Sequence, residues 1–382
     1  MKKGRISAAR KALAIAVAIG SALLCAWPMN SAASASSSQD QRLGGRARPV
    51  ITLQWPQFFG AGNEKSRESA PRVLIPGGQA IGVAIRTQGV LVVGAGDNGR
   101  DSLREGDMIL SVNGVPLLES AMLTEAVNAA QGQPLSLRIS RGGQENDLLL
   151  TPRYDESSRA WRLGVWVRDS TAGVGTLTYY DPATGAYGAL GHAITDSDTG
   201  SLLPVREGAL MQAEIVDVRR GQRGAPGELR GSFLREQVTL GTVQVNTALG
   251  IYGRLEAPAA SALYPEGLPT ASRGQVHTGA ATILSTIAGQ EACEYAIEIT
   301  QVSRQSAAAP KSMVLRVTDE RLLSSTGGIV QGMSGSPILQ DGRIVGAVTH
   351  VFVSDPTQGY GVFIDWMLQQ SDALSAQQSE AA

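Results

Sequence analysis

The pattern of hydrophobic and polar positions first separates an N-terminal segment from the rest of the chain. Residues 12–27 are uncharged and follow five basic side chains, which is typical of an export signal or a short membrane anchor. Residues 30–70 are rich in Ser and Ala and show no sustained periodicity, which is typical of a flexible linker. We therefore predict a signal or anchor over 1–29 and a linker over 30–70. Because the basic flank favours the cytoplasm, everything after this segment is expected to be extracytoplasmic, either anchored or released.

Between residues 71 and 152 the pattern predicts short strands around one helix. The segments RVLIPGGQAIGVAI, GVLVV, SLRIS and DLLLT cluster or alternate apolar residues between glycine turns. Apolar residues then recur at helical spacing from Leu123 to Ala130, with Ser120 as the expected N-cap and Gly132 as the expected C-terminal stop.

The segment REGDMILSVNG, followed by this helix, makes the region resemble a PDZ domain. The resemblance implies that an extended peptide adds to an open strand edge while its carboxylate meets the backbone amides of a glycine-rich loop. The PGGQAIGV segment is the expected loop, and its predicted peptide-binding positions are Gly77, Gly78, Ile81 and Gly82. The alternative is that these glycines only serve turns.

Residues 153–370 contain many short, β-branched segments bounded by Gly, Pro, Asp or Ser. Such a pattern predicts a barrel or a sandwich, and a region of roughly 200 residues is long enough for two packed barrels. Helical character is expected only near the end, from Trp366 to Leu374, and residues 371–382 are expected to be a polar tail.

Composition supports a folded, multidomain β protein. Hydrophobic residues make up 43% of the 382-residue chain, and 45 glycines favour short strands and tight turns. The net charge is −1, but without the five basic residues near the N-terminus the remaining 28 basic and 34 acidic residues leave −6. An acidic body argues against nucleic acid as the main partner. Because Cys25 lies in the apolar run, Cys293 has no partner for an internal disulfide.

The segment GMSGSP, residues 332–337, resembles the nucleophile turn of chymotrypsin-like serine peptidases. Ser334 occupies the nucleophile position, and the backbone amides of Gly332 and Ser334 are the expected oxyanion hole. Ser336 competes for the same chemistry, but it directly precedes the proline, a position that the family does not use for attack. The alternative is a turn between strands without catalytic function.

A serine nucleophile needs an imidazole base, and the chain has three histidines. His192 is the leading candidate because it lies between a glycine and an apolar step, as at a strand end that faces a cleft. His350 lies in a predicted strand and is expected in the core or behind the site. His277 lies in a Gly- and Thr-rich stretch and is expected at the surface.

The third member of such a site is a carboxylate that orients the imidazole. Asp319 ends the predicted strand MVLRVTD and gives the chain order His192, Asp319, Ser334, which is the order in chymotrypsin-like enzymes. The alternatives are Asp181, Asp196 and Asp198. The fragment DSDTG resembles the start of a calcium loop but lacks the later ligands, so neither a metal nor a cofactor is predicted.

Two long motifs, YDPATGAYGALGHAITD and TGGIVQGMSGSPILQDGRIVGAVTHVFVSDPTQGYGVFIDWML, together resemble the stage IV sporulation protein B family of endospore-forming bacteria. The resemblance implies a chymotrypsin-like double β-barrel and a serine endopeptidase with His192 as base, Asp319 as acid and Ser334 as nucleophile. The predicted fold class is therefore mainly β, with a signal or membrane segment, a PDZ domain over 71–152 and a peptidase domain over 153–370.

The same resemblance implies a biological role. Members of this family cross the forespore membrane, cleave themselves and cut a regulatory membrane protein, which releases an intramembrane protease that processes a sporulation sigma factor. The expected partners are therefore the chain itself and a membrane-bound polypeptide, and the 30–70 linker is the expected site of self-cleavage. Two alternatives remain: a non-catalytic PDZ scaffold in an envelope signalling complex, and a general envelope quality-control protease.

Overall fold

The computed structural model describes residues 71–96, 103–232, 239–259 and 261–381. The predicted signal or anchor and the predicted linker, residues 1–70, lie outside this range. Within the described ranges, no helix combines the length and the apolar character that a membrane span requires.

The described residues are mainly strands, as the sequence predicts. The first part of the chain contains β1 (Val73–Pro76), β2 (Ala80–Ala95), β3 (Met108–Val112), β4 (Val115–Pro116), α1 (Ser120–Ala129), β5 (Leu135–Arg141), β6 (Gln144–Leu150), β7 (Arg153–Asp155) and β8 (Ala160–Arg162). The middle part contains β9 (Val165–Tyr180), β10 (Ala186–Ala189), β11 (Val205–Gln212), β12 (Glu214–Arg219), β13 (Glu228–Ser232), β14 (Thr239–Thr247), β15 (Gly250–Leu255) and β16 (Leu268–Pro269). The last part contains β17 (Gly279–Ser285), β18 (Cys293–Val302), β19 (Met313–Val317), α2 (Glu320–Thr326), β20 (Pro337–Gln340), β21 (Arg343–Phe352), β22 (Asp355–Phe363) and α3 (Ile364–Ala381).

Two closed barrels form most of this structure. In the first barrel the strands follow the order β2, β9, β10, β15, β14 and β11, and β11 pairs back onto β2. In the second barrel the order is β17, β18, β19, β22, β21 and β20, with β20 pairing back onto β17. Buried aliphatic and aromatic side chains fill each barrel, which is the usual way in which a small barrel buries its apolar faces.

The region expected to be the PDZ domain is inserted into the first barrel and does not precede it. Residues 80–86 of β2 pair with 170–176 of β9 inside the barrel, and after a register shift residues 91–95 of β2 pair with 165–168 of β9. The chain therefore leaves the barrel through β2 and returns through β9. We call residues 89–168 the inserted domain. This boundary differs from the predicted 71–152 because the sequence shows where strands are, whereas their partners are set by contacts far along the chain.

The inserted domain has one sheet and one helix. Its strands follow the order β6, β5, β3, β2 and β9, and the hairpin between β5 and β6 turns at two glycines, as expected. Leu123 and Val127 of α1 are buried, as their spacing predicts. The N-cap is Glu119 and not Ser120, whose amide instead donates a 2.6 Å hydrogen bond to the carboxylate of Asp169 on β9. Helix α1 therefore begins beside the strand that returns to the barrel.

The predicted peptide-binding loop also belongs to the first barrel. The amides of Gly77 and Gly78 donate to the carbonyls of Thr178 and Leu177, at 2.9 and 2.8 Å. Ile81 is completely buried in the barrel core, and Gly82 pairs within the barrel sheet. These four positions therefore build the barrel wall and do not offer free amides to a peptide carboxylate.

The C-terminal helix α3 runs from Ile364 to Ala381, further than expected. The predicted polar tail is thus helical, because its Ala, Gln and Glu residues are good helix formers. Arg72 ties this helix to the first barrel through ion pairs with Asp372 and Asp181, at 2.7 and 2.8 Å.

Candidate active site

Ser334 lies in a tight turn that leads into β20. The two glycines beside it, Gly332 and Gly335, have φ values of +99° and +97°, which side chains rarely adopt. A Cβ atom on Gly335 would lie 2.1 Å from the carbonyl oxygen of Thr176 and 2.6 Å from the amide nitrogen of Leu190. Only glycine fits here, and the turn is pressed against the backbone of the first barrel.

Thr176 on β9 holds this turn in place. Its amide donates to the carbonyl of Ser334 at 3.0 Å, and its hydroxyl donates to the carbonyl of Gly332 at 2.8 Å. Its own carbonyl accepts a 3.3 Å hydrogen bond from the amide of Leu190, two residues before His192. One residue of the first barrel thus joins the serine turn to the histidine segment.

The backbone amides of the turn fall into two groups. Those of Met333, Gly335 and Ser336 donate to the carbonyls of other residues at 2.8 to 3.1 Å. Within the described part of the chain, the amides of Gly332 and Ser334 donate to no other group. The two amides expected to form an oxyanion hole are therefore the two that are not already engaged.

The Ser334 hydroxyl donates a 2.6 Å hydrogen bond to the carbonyl of Thr349 on β21. In this arrangement the hydroxyl is held by a backbone acceptor and not by an imidazole. The competing Ser336 is completely buried, and its hydroxyl has no hydrogen-bond partner among the described residues. A buried hydroxyl cannot meet a polypeptide substrate, so only Ser334 is placed to react.

His192 has a defined tautomer. Its Nδ1 lies 2.8 Å from the carbonyl oxygen of Ala193, and because a carbonyl only accepts, Nδ1 carries the hydrogen. The lone pair of Nε2 is then available to take a proton. Burial lowers the pKa of His192, and the hydrogen bond to Ala193 opposes this effect. The ring is therefore a neutral base at physiological pH.

His350 lies against the His192 ring and directly follows Thr349, the residue that accepts the Ser334 hydrogen bond. It follows Thr349 on β21, and its ring centroid lies 4.9 Å from that of His192. Burial, His192 and Lys311 together lower the pKa of His350 to about 4. The structure thus brings Ser334 and His192 to one place, although they belong to different barrels. His350 lies directly beside the site, where the sequence suggested only a core or supporting position.

Asp319 lies elsewhere. Its carboxylate caps the N-terminus of α2 and accepts hydrogen bonds from the side chain and amide of Arg321 and from the amide of Ala296. The Arg321 guanidinium is the main reason why the pKa of Asp319 is well below its usual range. Within the described residues, the partners of the Asp319 carboxylate all lie on α2 and β18, and the hydrogen-bond partner of the His192 ring is the Ala193 carbonyl. Asp319 is therefore not in contact with His192.

The other candidate carboxylates also have different partners. Asp181 is buried and pairs with Arg72, while Asp196 and Asp198 both pair with Arg168. In the described residues, the Ala193 carbonyl is the group that accepts a hydrogen bond from the His192 ring and so orients it. His277 is exposed and pairs with Asp341 at 2.8 Å, as expected for a surface residue. Within the described residues, no three or more His, Cys, Asp or Glu side chains lie together in an arrangement that could hold a metal ion.

A groove of about 460 Å³ lies on the wall of the second barrel, and one of its lining residues is Lys311, which helps to lower the pKa of His350. Its aromatic wall consists of Phe352 and Tyr360, whose ring centroids are 4.6 Å apart. Lys311 contributes a cation, with Nζ 4.7 Å from the centre of the Tyr360 ring. The groove therefore offers an aromatic surface and one positive charge.

Sequence reasoning missed Thr176 and Thr349, which hold the serine turn and the serine hydroxyl. Both lie in ordinary strand patterns, and their hydrogen bonds, from the amide and hydroxyl of Thr176 and to the carbonyl of Thr349, follow from no sequence motif. The only available signal was the order of small residues, since GVGT and GMSG each permit close backbone contact.

Three solved structures are similar to parts of the chain. The PDZ domain of an SdrC-like protein from Listeria monocytogenes is 17% identical and covers 21% of this chain and 87% of its own, with a TM-score of 0.20. The active form of the Rv3671c protease from M. tuberculosis is 12% identical over 53% of this chain and 74% of its own, with a TM-score of 0.31. An HtrA-type protease with a bound decapeptide is 9% identical over 78% of this chain and 63% of its own, with a TM-score of 0.32.

Sequence comparison provides the assignment that these low similarities do not. No curated protein sequence matches the chain. The family model described as SpoIVB peptidase S55 matches residues 159–368, which is more than half of the chain and includes both His192 and Ser334. The chain therefore belongs to the SpoIVB peptidase S55 family of serine endopeptidases.

Proposed function

We propose that this chain hydrolyses peptide bonds through an acyl-enzyme formed on Ser334. The Ser334 oxygen attacks the substrate carbonyl while Nε2 of His192 takes the hydroxyl proton, and His192 then gives that proton to the leaving amine as the C–N bond breaks. A water molecule hydrolyses the ester by the same route. The observation that carries this proposal is the pair of unengaged amides, Gly332 and Ser334, on either side of Met333.

The reaction needs one small change at Ser334. The hydroxyl donates to Thr349 in this structure, and it must turn about its Cα–Cβ bond to donate to His192. Catalytic hydrogen bonds often form fully only when substrate is bound, so this arrangement is compatible with the role. The Thr349 carbonyl is then left free to accept a hydrogen bond from the substrate backbone.

The Ala193 carbonyl takes the orienting position that a carboxylate holds in a Ser-His-Asp site. A neutral carbonyl fixes the tautomer as well as a carboxylate does, but it stabilises the imidazolium less because it carries no full charge. We therefore propose that His192 and Ser334 act as a dyad in this arrangement, with Asp319 serving the fold of α2.

A fluorophosphonate probe tests the proposal because it reacts only with an activated serine. The full chain should label at Ser334, and both Ser334→Ala and His192→Gln should abolish labelling while retaining the wild-type melting temperature. Ser336→Ala is the matched control, since its hydroxyl is buried and lies two residues away. Labelling that persists in Ser334→Ala, or that disappears in Ser336→Ala, would assign the reaction to another residue.

We also propose that the inserted domain binds an extended peptide at the free edge of β9. Among the described strands, residues 165–168 pair only with β2. Helix α1 lies beside them, since Ser120 contacts Asp169 at one end and Asn128 contacts Trp161 at the other. This edge, and not the PGGQAIGV segment, has the geometry for strand addition.

Two exposed residues of α1 offer a matched test. Thr124 lies one turn from both Ser120 and Asn128, on the helix face beside β9, whereas Ala129 is exposed on another face of the same helix. Thr124→Arg should fill the space between α1 and β9 and reduce cleavage of a protein substrate, with unchanged probe labelling. Ala129→Arg should behave like the wild type. Equal substrate cleavage by both variants would remove the inserted domain from substrate binding.

Family membership supports a more specific biological proposal. We propose that the protein cleaves itself within residues 30–70, acts outside the cytoplasm at the forespore membrane, and cuts a regulatory membrane protein so that a sporulation sigma factor is processed. N-terminal sequencing of the forms present in sporulating cells, wild type beside Ser334→Ala, tests this. Identical N-termini in both strains would refute self-cleavage, and full sporulation with Ser334→Ala would favour a non-catalytic scaffold.

A further inference from the structure

The loop that follows His192, residues 193–203, is fastened at its turn by Arg168. The Arg168 guanidinium forms an ion pair with the buried carboxylate of Asp196 and a second ion pair, at 2.8 Å, with Asp198. The Asp196 carboxylate also accepts hydrogen bonds from the amides of Asp198 and Thr199, at 3.1 and 2.9 Å. The turn is thus folded around Asp196, whose charge is balanced by one arginine.

Both ends of the same loop are fastened by the first barrel. The side chain of Asn246 on β14 donates to the carbonyls of Ile194 and Leu203, at 2.7 and 2.9 Å, and accepts a 2.8 Å hydrogen bond from the Ile194 amide. The only residue between His192 and this anchored segment is Ala193, whose carbonyl orients the imidazole. A change in the loop therefore reaches the base through Ile194 and Ala193.

We infer that Arg168 is a positioning residue for His192, acting through Asp196 and the loop that carries the Ala193 carbonyl. The inference rests on the proposed role of His192 as base. Without Arg168, the buried Asp196 carboxylate would lose its only ion-pair partner in the described residues and face Asp198, a second negative charge. The turn would open to hydrate Asp196 and draw Ile194 away from Asn246. The Ala193 carbonyl shares a planar peptide group with the Ile194 amide, so it would lose its fixed direction.

Arg168 lies where β9 passes from the inserted domain into the first barrel. It pairs with Leu91 in the sheet of the inserted domain, and the next residues of β9 pair inside the first barrel. The strand that forms the free edge of the inserted domain therefore ends at the side chain that fastens the histidine loop. A displacement of this strand by a bound peptide would move Arg168 and, through Asp196, the base.

The test uses the full chain and compares Arg168→Gln and Arg168→Lys with Arg138→Gln. Arg138 is the matched control because it forms an exposed ion pair with Asp147 in the same domain, away from the loop. A misplaced catalytic group costs about ten- to a hundredfold in rate, so Arg168→Gln should label Ser334 at least about tenfold more slowly than Arg138→Gln. With a peptide substrate, kcat should fall while KM stays within about twofold, and Arg168→Lys should recover part of the rate because it keeps the charge.

The outcomes separate this inference from the proposed function. Labelling of the wild type at Ser334 tests the function alone, whereas the ratio of variant to wild type tests the positioning role. A folded Arg168→Gln that labels at the wild-type rate would overturn the inference. If Arg168→Gln does not fold, Arg168→Lys decides: a slower rate at an unchanged melting temperature supports positioning, and a wild-type rate refutes it.

Discussion

The amide of Thr176 donates a 3.0 Å hydrogen bond to the carbonyl of Ser334, and this bond joins the first barrel to the reacting turn of the second. The hydroxyl of the same threonine holds the carbonyl of Gly332. Thr176 therefore holds the carbonyls of both Gly332 and Ser334, while the amides of the same two residues donate to no other group in the described residues. The preorganised donors that acyl transfer needs thus depend on the contact between the barrels.

Thr176→Val should lower activity and stability together. Valine keeps the shape of threonine but leaves the Gly332 carbonyl without its 2.8 Å partner, which costs about 1 to 3 kcal/mol of unfolding free energy. We expect slower probe labelling at Ser334 and a lower melting temperature. Thr178→Val is the control, because the Thr178 hydroxyl is buried without a hydrogen-bond partner in the described residues. A larger effect at Thr178 than at Thr176 would contradict this account.

Gly335→Ala should prevent the turn from closing. The new Cβ would overlap the Thr176 carbonyl and the Leu190 amide, both of which are backbone groups that cannot move aside. We expect a loss of more than about 4 kcal/mol in unfolding free energy, measured by chemical denaturation. Gly342 also has a positive φ, of +69°, but its Cβ position is open, so Gly342→Ala should cost only about 1 to 2 kcal/mol. Equal losses would mean that backbone conformation, and not contact, decides.

Asp319 variants separate capping from catalysis. Asp319→Asn retains a good N-cap and should keep the folded enzyme active within a few-fold, whereas Asp319→Ala should lose about 1 kcal/mol of unfolding free energy through α2. Probe labelling and thermal unfolding measure the two effects. If folded Asp319→Asn instead loses roughly 10⁴-fold in rate, as a triad aspartate does, then Asp319 is the catalytic acid and reaches His192 in another conformation.

Activity and stability should both depend on pH below neutrality. Burial lowers the pKa of His192, so the base stays neutral, and labelling should persist, below the usual histidine pKa of about 6.5. The unfolded chain takes up protons near 6.5, whereas folded His350 does so only near its pKa of about 4. Because the unfolded chain binds more protons than the folded chain between these values, the free energy of unfolding is highest above pH 6.5 and falls as the pH decreases towards 4.

His350→Gln isolates the second effect. It should make the melting temperature depend less on pH between 6.5 and 4, because the variant lacks the group that takes up a proton on unfolding in this range. Of the two neighbouring histidines, only His192 would then contribute. The change should be modest, since His350 keeps part of its surface in solvent. An unchanged slope would show that other groups cause the acid sensitivity.

Lys311 should influence which peptides are cut. Its cation is part of the groove and helps to lower the pKa of His350, so we expect the wild type to prefer peptides with an acidic residue close to the scissile bond and Lys311→Glu to reverse that preference. Relative kcat/KM for matched acidic and basic peptides measures this. Arg316→Glu is the control, because Arg316 faces Glu298 outside the groove. Identical preferences in all three proteins would exclude the groove from substrate selection.

The sequence revealed local features well and distant partners poorly. Ser334 and His192 are candidates from the sequence because a glycine-rich turn and a scarce histidine are each visible locally, and their catalytic roles stay predictions. The position of PGGQAIGV was not predictable, because its alternation is equally compatible with a strand of the inserted domain and one of the barrel. Asp319 illustrates the same limit: chain order favoured it as the acid, yet its carboxylate is engaged by the adjacent helix and Arg321. Thr176 acts through hydrogen bonds that leave no motif at all.

The two strands that pass from the first barrel into the inserted domain determine how the protein can be shortened. A fragment that begins at residue 153 would lack β2 and leave the edges of β9 and β11 unpaired. The peptidase should therefore not fold from this C-terminal part alone. The hydroxyl of Thr87 already donates to the carbonyl of Asp169 at 3.1 Å, so an internal excision that joins these positions through a short turn would keep both barrels closed. The same nesting distinguishes the effects of chain cleavage: a cut before β1 would leave both barrels closed, whereas a cut that detaches β2 would open the first barrel.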